Sequence, residues 1–194
     1  MDAALKVPEF MTVAEFLDWD APPGYYWQLR DGVPEAMSPP SPTHGVIQMR
    51  IGQLIGAFLD GRSSPCRVVA TPGVIPASRS DINMLIPDLA VTCSPIKASD
   101  RALPNPLLLV EVLSPGNQSE TCRNVWAYTT IPGVQEIAVF HSEKIGALVL
   151  RRGADGTWPD QATAIHKGEL TLESIGLQTS IEDIYLTTWL ADSA

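Results

Sequence analysis

The feature that most constrains the fold is the apolar run LLLVEVL at residues 107–113, which contains one charged residue, Glu111. Side chains in a β-strand alternate between its two faces, and in this run both faces are largely apolar. Continuous apolar strands are typical of a sheet that is covered on both sides. The run therefore predicts a layered fold in which helices flank a central sheet.

The remaining segments supply the elements of such a fold. The segment from Thr43 to Asp60 has apolar residues at helical spacing and predicts the longest helix. Shorter helices are predicted after the Thr12 capping box, at 119–129 and after Ser180. Strand-like runs lie at 25–29, 33–37, 66–69, 73–76, 84–92, 107–113, 135–140 and 147–151. We expect an α/β (α+β) chain with a mixed central β-sheet flanked by helices, in one domain spanning residues 1–194.

Two carboxylates lie in apolar surroundings. Glu111 is inside the central run, and Asp88 lies in a second run, MLIPDLAVT. Such a carboxylate is costly to keep charged unless a cation, a metal ion or hydrogen-bond donors pair with it. Two carboxylates from neighbouring strands can hold one hard divalent cation. The alternative is that Asp88 begins a turn after Pro87 and that Glu111 reaches solvent at the end of its strand.

The net charge of −9 bears on the class of partner. Proteins that coat DNA are typically basic, because neutralising the phosphates supplies much of the affinity. This chain has no run of Lys or Arg. The negative charge disfavours a protein that coats DNA in general. It does not exclude a nucleic-acid enzyme in which a local basic groove or a metal ion contacts the phosphates.

Cysteine usage and hydropathy bear on the cellular compartment. Cys66, Cys93 and Cys122 are odd in number and widely spaced, which favours reduced thiols over a disulfide framework or a zinc site. No apolar run approaches the length of a membrane span, and residues 1–10 contain no signal-peptide core. We therefore expect a cytoplasmic protein that does not engage a membrane.

Several segments, taken in order, resemble the Uma2 family, also called DUF820, which is grouped with the PD-(D/E)XK nuclease superfamily. The most specific is EVLSP, within VEVLSP at residues 110–115, and IPD at residues 86–88 precedes it as a shorter and less specific match. Further similar segments are MTVAEFL at 11–17, QLRDGVPEAMSPPSPTHGVI at 28–47, the WAY and GVQEIAVF pieces within 126–140, and SIGLQTSIEDIY at 174–185. The resemblance thus covers nearly the whole chain.

The resemblance implies a restriction-endonuclease-like core, hydrolysis of phosphodiester bonds, and Mg²⁺ or Mn²⁺ as the cofactor. Asp88, Glu111 and the backbone carbonyl of Val112 would be the metal ligands. His44 matches a histidine that often follows the MSPP segment in the family, and it is a candidate ligand, phosphate contact or proton carrier. Its alternative is a histidine hydrogen-bonded locally at a helix start. DNA is the expected partner, and a homodimer is the expected assembly.

The chain departs from the family pattern at three polar positions. In the superfamily pattern a lysine two residues after the second acid helps to activate the attacking water. The second acid is Glu111 here, and Leu113 stands at the position of that lysine. Many family members carry a lysine in the following helix, where this chain has Asn124, and Gln28 stands where the family tends to have glutamate. Asn124 is retained as a candidate catalytic residue. Its neighbour Arg123 could contact a phosphate, but an arginine stays protonated and is a poor base.

Three functions remain open at this point. The first is a metal-dependent endonuclease, weakened by the missing lysine. The second is a non-enzymatic dimerisation or partner-binding protein on the same fold, which the missing lysine and the negative charge favour. The third is a Mg²⁺-dependent hydrolase of a small phosphorylated molecule. Trp126 and Tyr128 are expected to serve helix packing rather than to stack on bases.

Overall fold

The computed structural model describes residues 7–193. Residues 1–6, which belong to the segment considered for a signal peptide, and Ala194 lie outside the described residues. The helices are α1 (Val13–Asp18), α2 (Pro42–Gly61), α3 (Gln118–Tyr128), α4 (Ile181–Tyr185) and a 3-10 turn at Ala191–Ser193. The strands are β1 (Tyr26–Arg30), β2 (Val33–Met37), β3 (Arg67–Ala70), β4 (Leu89–Thr92), β5 (Pro106–Leu113), β6 (Glu136–His141), β7 (Ala147–Arg151), β8 (Thr163–Ile165), β9 (Glu169–Leu172) and β10 (Leu177–Ser180). Across the described range, none of the helices is both long and apolar enough to cross a membrane.

Six of the strands form one mixed sheet in the order β3-β4-β5-β6-β7-β8. Its neighbouring strands are antiparallel except for β5 and β6, which are parallel. Parallel neighbours need a crossover connection, and α3 supplies it. Two hairpins, β1-β2 and β9-β10, lie outside the sheet. The expected mixed sheet with flanking helices is confirmed.

The central strand β5 separates two apolar layers. Leu108, Val110 and Val112 join a core cluster that also contains residues of α2 and α4. On the opposite face, Leu109 joins a second cluster that contains Tyr128 of α3. Both layers are buried, so the apolar run at 107–113 is explained by cover on two sides. Glu111 lies on the same face as Leu109, because side chains two residues apart point the same way.

The helix α2 forms the main cover of the first layer. Ser41 caps its N-terminus by accepting the backbone N–H of His44, and Pro42 occupies the first turn. The buried positions recur at spacings of three or four residues: His44, Ile47, Ile51, Ile55 and Leu59. The helix therefore packs along the stripe that the sequence predicts and holds His44 against the sheet.

The strand predicted at 84–92 is shorter in the structure and begins only at Leu89. Residues before it pair through single bridges, which join Met84 to Leu29 and Leu85 to Val74. The predicted strand at 73–76 is likewise reduced to the bridge at Val74. Pro87 explains the break, because proline has no N–H to donate to a sheet ladder. Asp88 consequently lies immediately before the first residue of β4.

Cys66 and Cys93 form a disulfide, so the expectation of three reduced thiols is wrong. The register of β3 and β4 sets Arg67 opposite Thr92. The residues one step further out, Cys66 and Cys93, are therefore brought face to face across the antiparallel pair. Cys122 is a free, exposed cysteine. Sequence spacing does not reveal this pairing, because it depends on which strands become neighbours.

Replacing Ile51 by alanine tests the packing of α2 on the sheet. Ile51 is 2% exposed, so Ile51→Ala should lower the free energy of unfolding by about 2–5 kcal/mol in chemical denaturation. The matched control is Met49→Ala on the same helix, because Met49 is 64% exposed. Its effect should stay within about 0.5 kcal/mol. Equal effects of the two substitutions would contradict the orientation of α2.

Candidate active site

Asp88 and Glu111 converge at one end of β4 and β5. The register sets Leu89 opposite Val110, which places Asp88 beside Glu111 on the neighbouring strand. Asp88 Oδ2 accepts the backbone N–H of Val112 at 2.6 Å. Only 6% of Glu111 is exposed, and 12% of the Asp88 side chain. The structure therefore brings the two acids together in a nearly enclosed place.

Glu111 is held by two residues of α3. The Tyr128 hydroxyl donates a hydrogen bond of 2.7 Å to Glu111 Oε1, and the Asn124 side chain lies close enough to lower the pKa of Glu111. Burial, followed by the charge of Asp88, raises the pKa of Glu111 to about 8, although Tyr128 and Asn124 act in the opposite direction. At neutral pH this carboxyl group is therefore mainly protonated.

His44 links Asp88 to the end of β5. Its Nε2 lies 2.8 Å from Asp88 Oδ1, and its Nδ1 lies 3.2 Å from Ser114 Oγ. The Ser142 hydroxyl lies 3.3 Å from Ser114 Oγ and extends the chain of polar groups to the end of β6. His44 is 6% exposed. The imidazole is thus fixed by partners on both nitrogens, and the alternative of a purely local helix-start hydrogen bond does not describe it.

A second polar cluster adjoins the acid pair and is made by β1, β2 and α3. Gln28 Nε2 donates to Glu120 Oε1 at 2.5 Å and to Glu35 Oε2 at 3.3 Å. Arg30 makes ion pairs with Glu35 at 2.9 Å and with Glu120 at 3.4 Å, and 11% of its side chain is exposed. The positive charge of Arg30 also acts to lower the pKa of Tyr128, although burial raises that pKa overall. The two clusters are therefore electrostatically connected.

Two buried amide oxygens in this region lack a hydrogen-bond donor within the described residues. They are Gln28 Oε1 and Asn124 Oδ1. A buried acceptor without a partner costs about 1–3 kcal/mol. Asn124 acts on Glu111 directly. Gln28 donates to Glu120, which lies one helical turn before Asn124 on the same face of α3, so both amide side chains lie in the neighbourhood of the acid pair. A cation, or water bound to a cation, would satisfy these oxygens.

The donor set at this place suits a hard cation. It consists of the carboxylates of Asp88 and Glu111, the carbonyl of Val112 and the two unpaired amide oxygens. Mg²⁺ prefers such oxygen ligands and retains several waters. Residues 7–193 contain no group of three His, Cys, Asp or Glu arranged to hold a metal. Any metal at this site would therefore depend on main-chain and amide oxygens as well as on the two acids.

The structure brings the candidate residues from the sequence to this one location. Asp88, Glu111, Val112, His44 and Asn124 all lie at the same end of the sheet, as the contacts above show. Leu113 stands at the position of the superfamily lysine. It is half-buried in apolar packing and therefore supplies no basic group to the site. Their catalytic and metal-binding roles stay predictions.

Sequence reasoning missed the polar partners of these residues. Tyr128 was expected only to pack, and it is buried but also bonds to Glu111. Glu120, Asn124 and Tyr128 recur at four-residue spacing, so they share one face of α3; that spacing was readable in the sequence. Trp126 was expected to serve helix packing, and this is wrong, because 58% of it is exposed.

Comparison with known proteins is consistent with this geometry. Residues 13–185 match the model of the Uma2 family, described as "Putative restriction endonuclease". The fold is similar to the crystal structure of a putative nuclease of DUF820 from Anabaena variabilis, with a TM-score of 0.72 and 18% sequence identity. The match covers 91% of this chain and 98% of the other. No curated protein shows significant sequence similarity.

The raised pKa of Glu111 predicts a pH dependence of stability. The ordinary pKa of a glutamate is about 4.5, and in the folded chain the pKa of Glu111 is about 8. Between these two pH values the folded chain holds a proton on Glu111 that the unfolded chain has lost. Raising the pH through this window therefore favours unfolding. The stability of the wild type relative to Glu111→Gln should fall steadily from pH 5 to pH 8 when the free energy of unfolding is measured by denaturation.

The matched control for this pH series is Glu143→Gln, because Glu143 is an exposed carboxylate. Its stability curve should run parallel to that of the wild type. If Glu111→Gln also runs parallel to the wild type over this window, Glu111 is charged in the folded state and the description of the acid pair is wrong.

Proposed function

Because the chain belongs to the Uma2 family, we propose that it is a metal-dependent endonuclease that hydrolyses phosphodiester bonds, with Asp88 and Glu111 as the acids of its metal site. One observation carries the proposal. Two nearly enclosed carboxylates from neighbouring strands meet beside two buried amide oxygens that lack hydrogen-bond donors. Burying these groups without a bound cation costs free energy. A cation that binds as part of the function would offset that cost.

The proposed cofactor is Mg²⁺, or Mn²⁺ in its place. The carboxylates of Asp88 and Glu111 and the carbonyl of Val112 would hold it, with Gln28 and Asn124 as further oxygen donors. A bound metal of this kind lowers the pKa of a coordinated water and stabilises negative charge on a phosphoryl group. Binding requires Glu111 to release its proton, so the affinity for metal should increase with pH.

His44 is the side chain best placed to carry a proton, because no lysine is present for that task. It contacts Asp88 and Ser114 through its two ring nitrogens. Asn124 cannot act as an acid or a base, because a carboxamide does not titrate at ordinary pH. Its role is to orient Glu111. Replacing a titratable lysine by an amide is expected to leave a slow enzyme rather than an efficient one.

DNA is the proposed substrate and a homodimer the proposed assembly. The net charge of −9 implies that phosphate contacts would come from local groups such as the metal and Arg30 rather than from the overall field. The exposed side chains of Val46 and Met49 on α2, and of Leu186 after α4, offer apolar surface to a second copy.

A specific observation favours one alternative, a non-enzymatic binding protein on the same fold. Both Asp88 oxygens already have hydrogen-bond partners, and Glu111, with its raised pKa, is bonded to Tyr128. The acid pair could therefore persist as a protonated structural cluster. A metal titration separates this reading from the first.

Metal should stabilise the wild type and leave Glu111→Gln unaffected. A ligand that binds only the folded state adds about 2.7 kcal/mol at a concentration of roughly one hundred times its dissociation constant. The measurement is the melting temperature with and without millimolar Mg²⁺ or Mn²⁺ at pH 8. Glu143→Gln serves as the control and should respond as the wild type does. If metal shifts none of the melting temperatures, the acid pair is structural and the endonuclease proposal fails.

A cleavage assay completes the test. Wild-type protein should nick or cut plasmid DNA slowly in Mn²⁺ or Mg²⁺, and Glu111→Gln and Asp88→Asn should reduce cleavage to the background seen with chelator. Metal-dependent stabilisation without cleavage of any DNA would support a metal site and reject the nuclease activity. Cleavage that persists in both variants would show that these acids are not its metal ligands.

A further inference from the structure

Three adjacent strands bring His141, Gly146 and His166 into one row at the edge of the sheet. The register of β6 and β7 sets His141 opposite Gly146, and the backbone N–H of His141 donates to the Gly146 carbonyl at 3.1 Å. The pairing of β7 with β8 ends at Ala147 and Ile165, and its continuation by one residue sets His166 against the other side of Gly146. Residues directly opposed in antiparallel pairs project from the same face of a sheet. Both imidazoles therefore stand on one face, with a glycine between them.

Gly146 leaves the space between the two rings open. A Cβ atom at this position would lie 2.9 Å from His166 Nδ1 and 3.6 Å from His141 Cδ2. Both rings thus border the same small volume, although their backbones are two strands apart, which is roughly 10 Å. Any larger residue in place of Gly146 would push the rings apart.

Neither imidazole makes a hydrogen bond or an ion pair within the described residues, so its nitrogens are available. His44 differs in this respect, because both of its nitrogens are bonded. His166 is exposed and His141 is half-buried, so solvent reaches the pair. Burial, then the charges of Lys144 and His166, lower the pKa of His141. Neutral imidazole is the form that binds metals.

From this row of residues we propose that His141 and His166 bind a divalent transition-metal ion such as Zn²⁺ across Gly146. Imidazole nitrogen suits Zn²⁺, Ni²⁺ and Cu²⁺, whereas Mg²⁺ and Ca²⁺ prefer oxygen. No third His, Cys, Asp or Glu completes a metal-holding group in the part of the chain the structure describes. Water would fill the remaining positions. The ion would join β6 to β8 across β7 and would be chemically distinct from the ion proposed for Asp88 and Glu111.

Zinc titration of single-histidine variants tests this site. The background is tag-free protein carrying Glu111→Gln, which removes the acid pair as a competing ligand. In isothermal titration, His141→Gln and His166→Gln should each weaken Zn²⁺ binding by at least about tenfold, a loss at least as large as that from removing a supporting residue of a metal site. Lys167→Gln, an exposed neighbour of His166, is the matched control and should bind as the background does. Unchanged affinity in either histidine variant would overturn the proposal.

A second measurement uses wild-type protein and does not depend on how the variants fold. The chain has three histidines, so three imidazole Cε1–H signals are expected in a proton NMR spectrum. Substoichiometric Cu²⁺, which binds imidazole sites more tightly than Ni²⁺ or Zn²⁺, should broaden two of the signals together and spare that of buried His44. Loss of the His44 signal first, or equal broadening of all three, would refute a site made by His141 and His166.

Discussion

The candidate site depends on the hydrogen bond from the Val112 N–H to Asp88 Oδ2. Pro87 ends the upstream bridges, and this bond ties the start of β4 to β5, so that Asp88 is held beside Glu111. The proximity has a cost, because two enclosed carboxylates repel one another and neither is well hydrated. The surrounding groups limit that cost: His44 meets one Asp88 oxygen, and Tyr128 donates to Glu111. Helices on both faces of the sheet thus contribute to one site.

The polar groups around the acid pair differ in charge from the pattern that the family resemblance implies. Neutral amides occupy positions 28 and 124, where the resemblance leads us to expect a glutamate and a lysine. Arg30, whose side chain is 11% exposed, compensates Glu35 and Glu120 through two ion pairs. The result is a site that retains oxygen donors for a cation but has lost its expected lysine base. This combination is compatible with metal binding and a low turnover, and it explains why metal affinity and cleavage have to be measured separately.

Two regions of this chain present different ligand chemistry at the same sheet. The acid pair and its amide neighbours offer oxygen, whereas His141 and His166 offer nitrogen. The distinction is physical, because hard cations are bound by charged and carbonyl oxygens and borderline ions by imidazole. Both regions depend on cross-strand register: Leu89 opposite Val110 in one, and Gly146 between two histidines in the other. A shift of one residue in either register would turn the ligands to opposite faces.

The sequence by itself determined most of the elements and the two acids, because helix period, capping and unbroken apolar runs are local properties that constrain burial directly. It thereby identified α2, the doubly covered strand β5, and Asp88 and Glu111 as carboxylates in need of a partner. Only the tertiary structure decided that Cys66 meets Cys93, that Tyr128 bonds to Glu111 and that His141 and His166 face one another. Each of these contacts joins residues from different elements. Their formation depends on strand order, register and the path of the crossover helix, which are set by packing of the whole chain rather than by neighbouring residues.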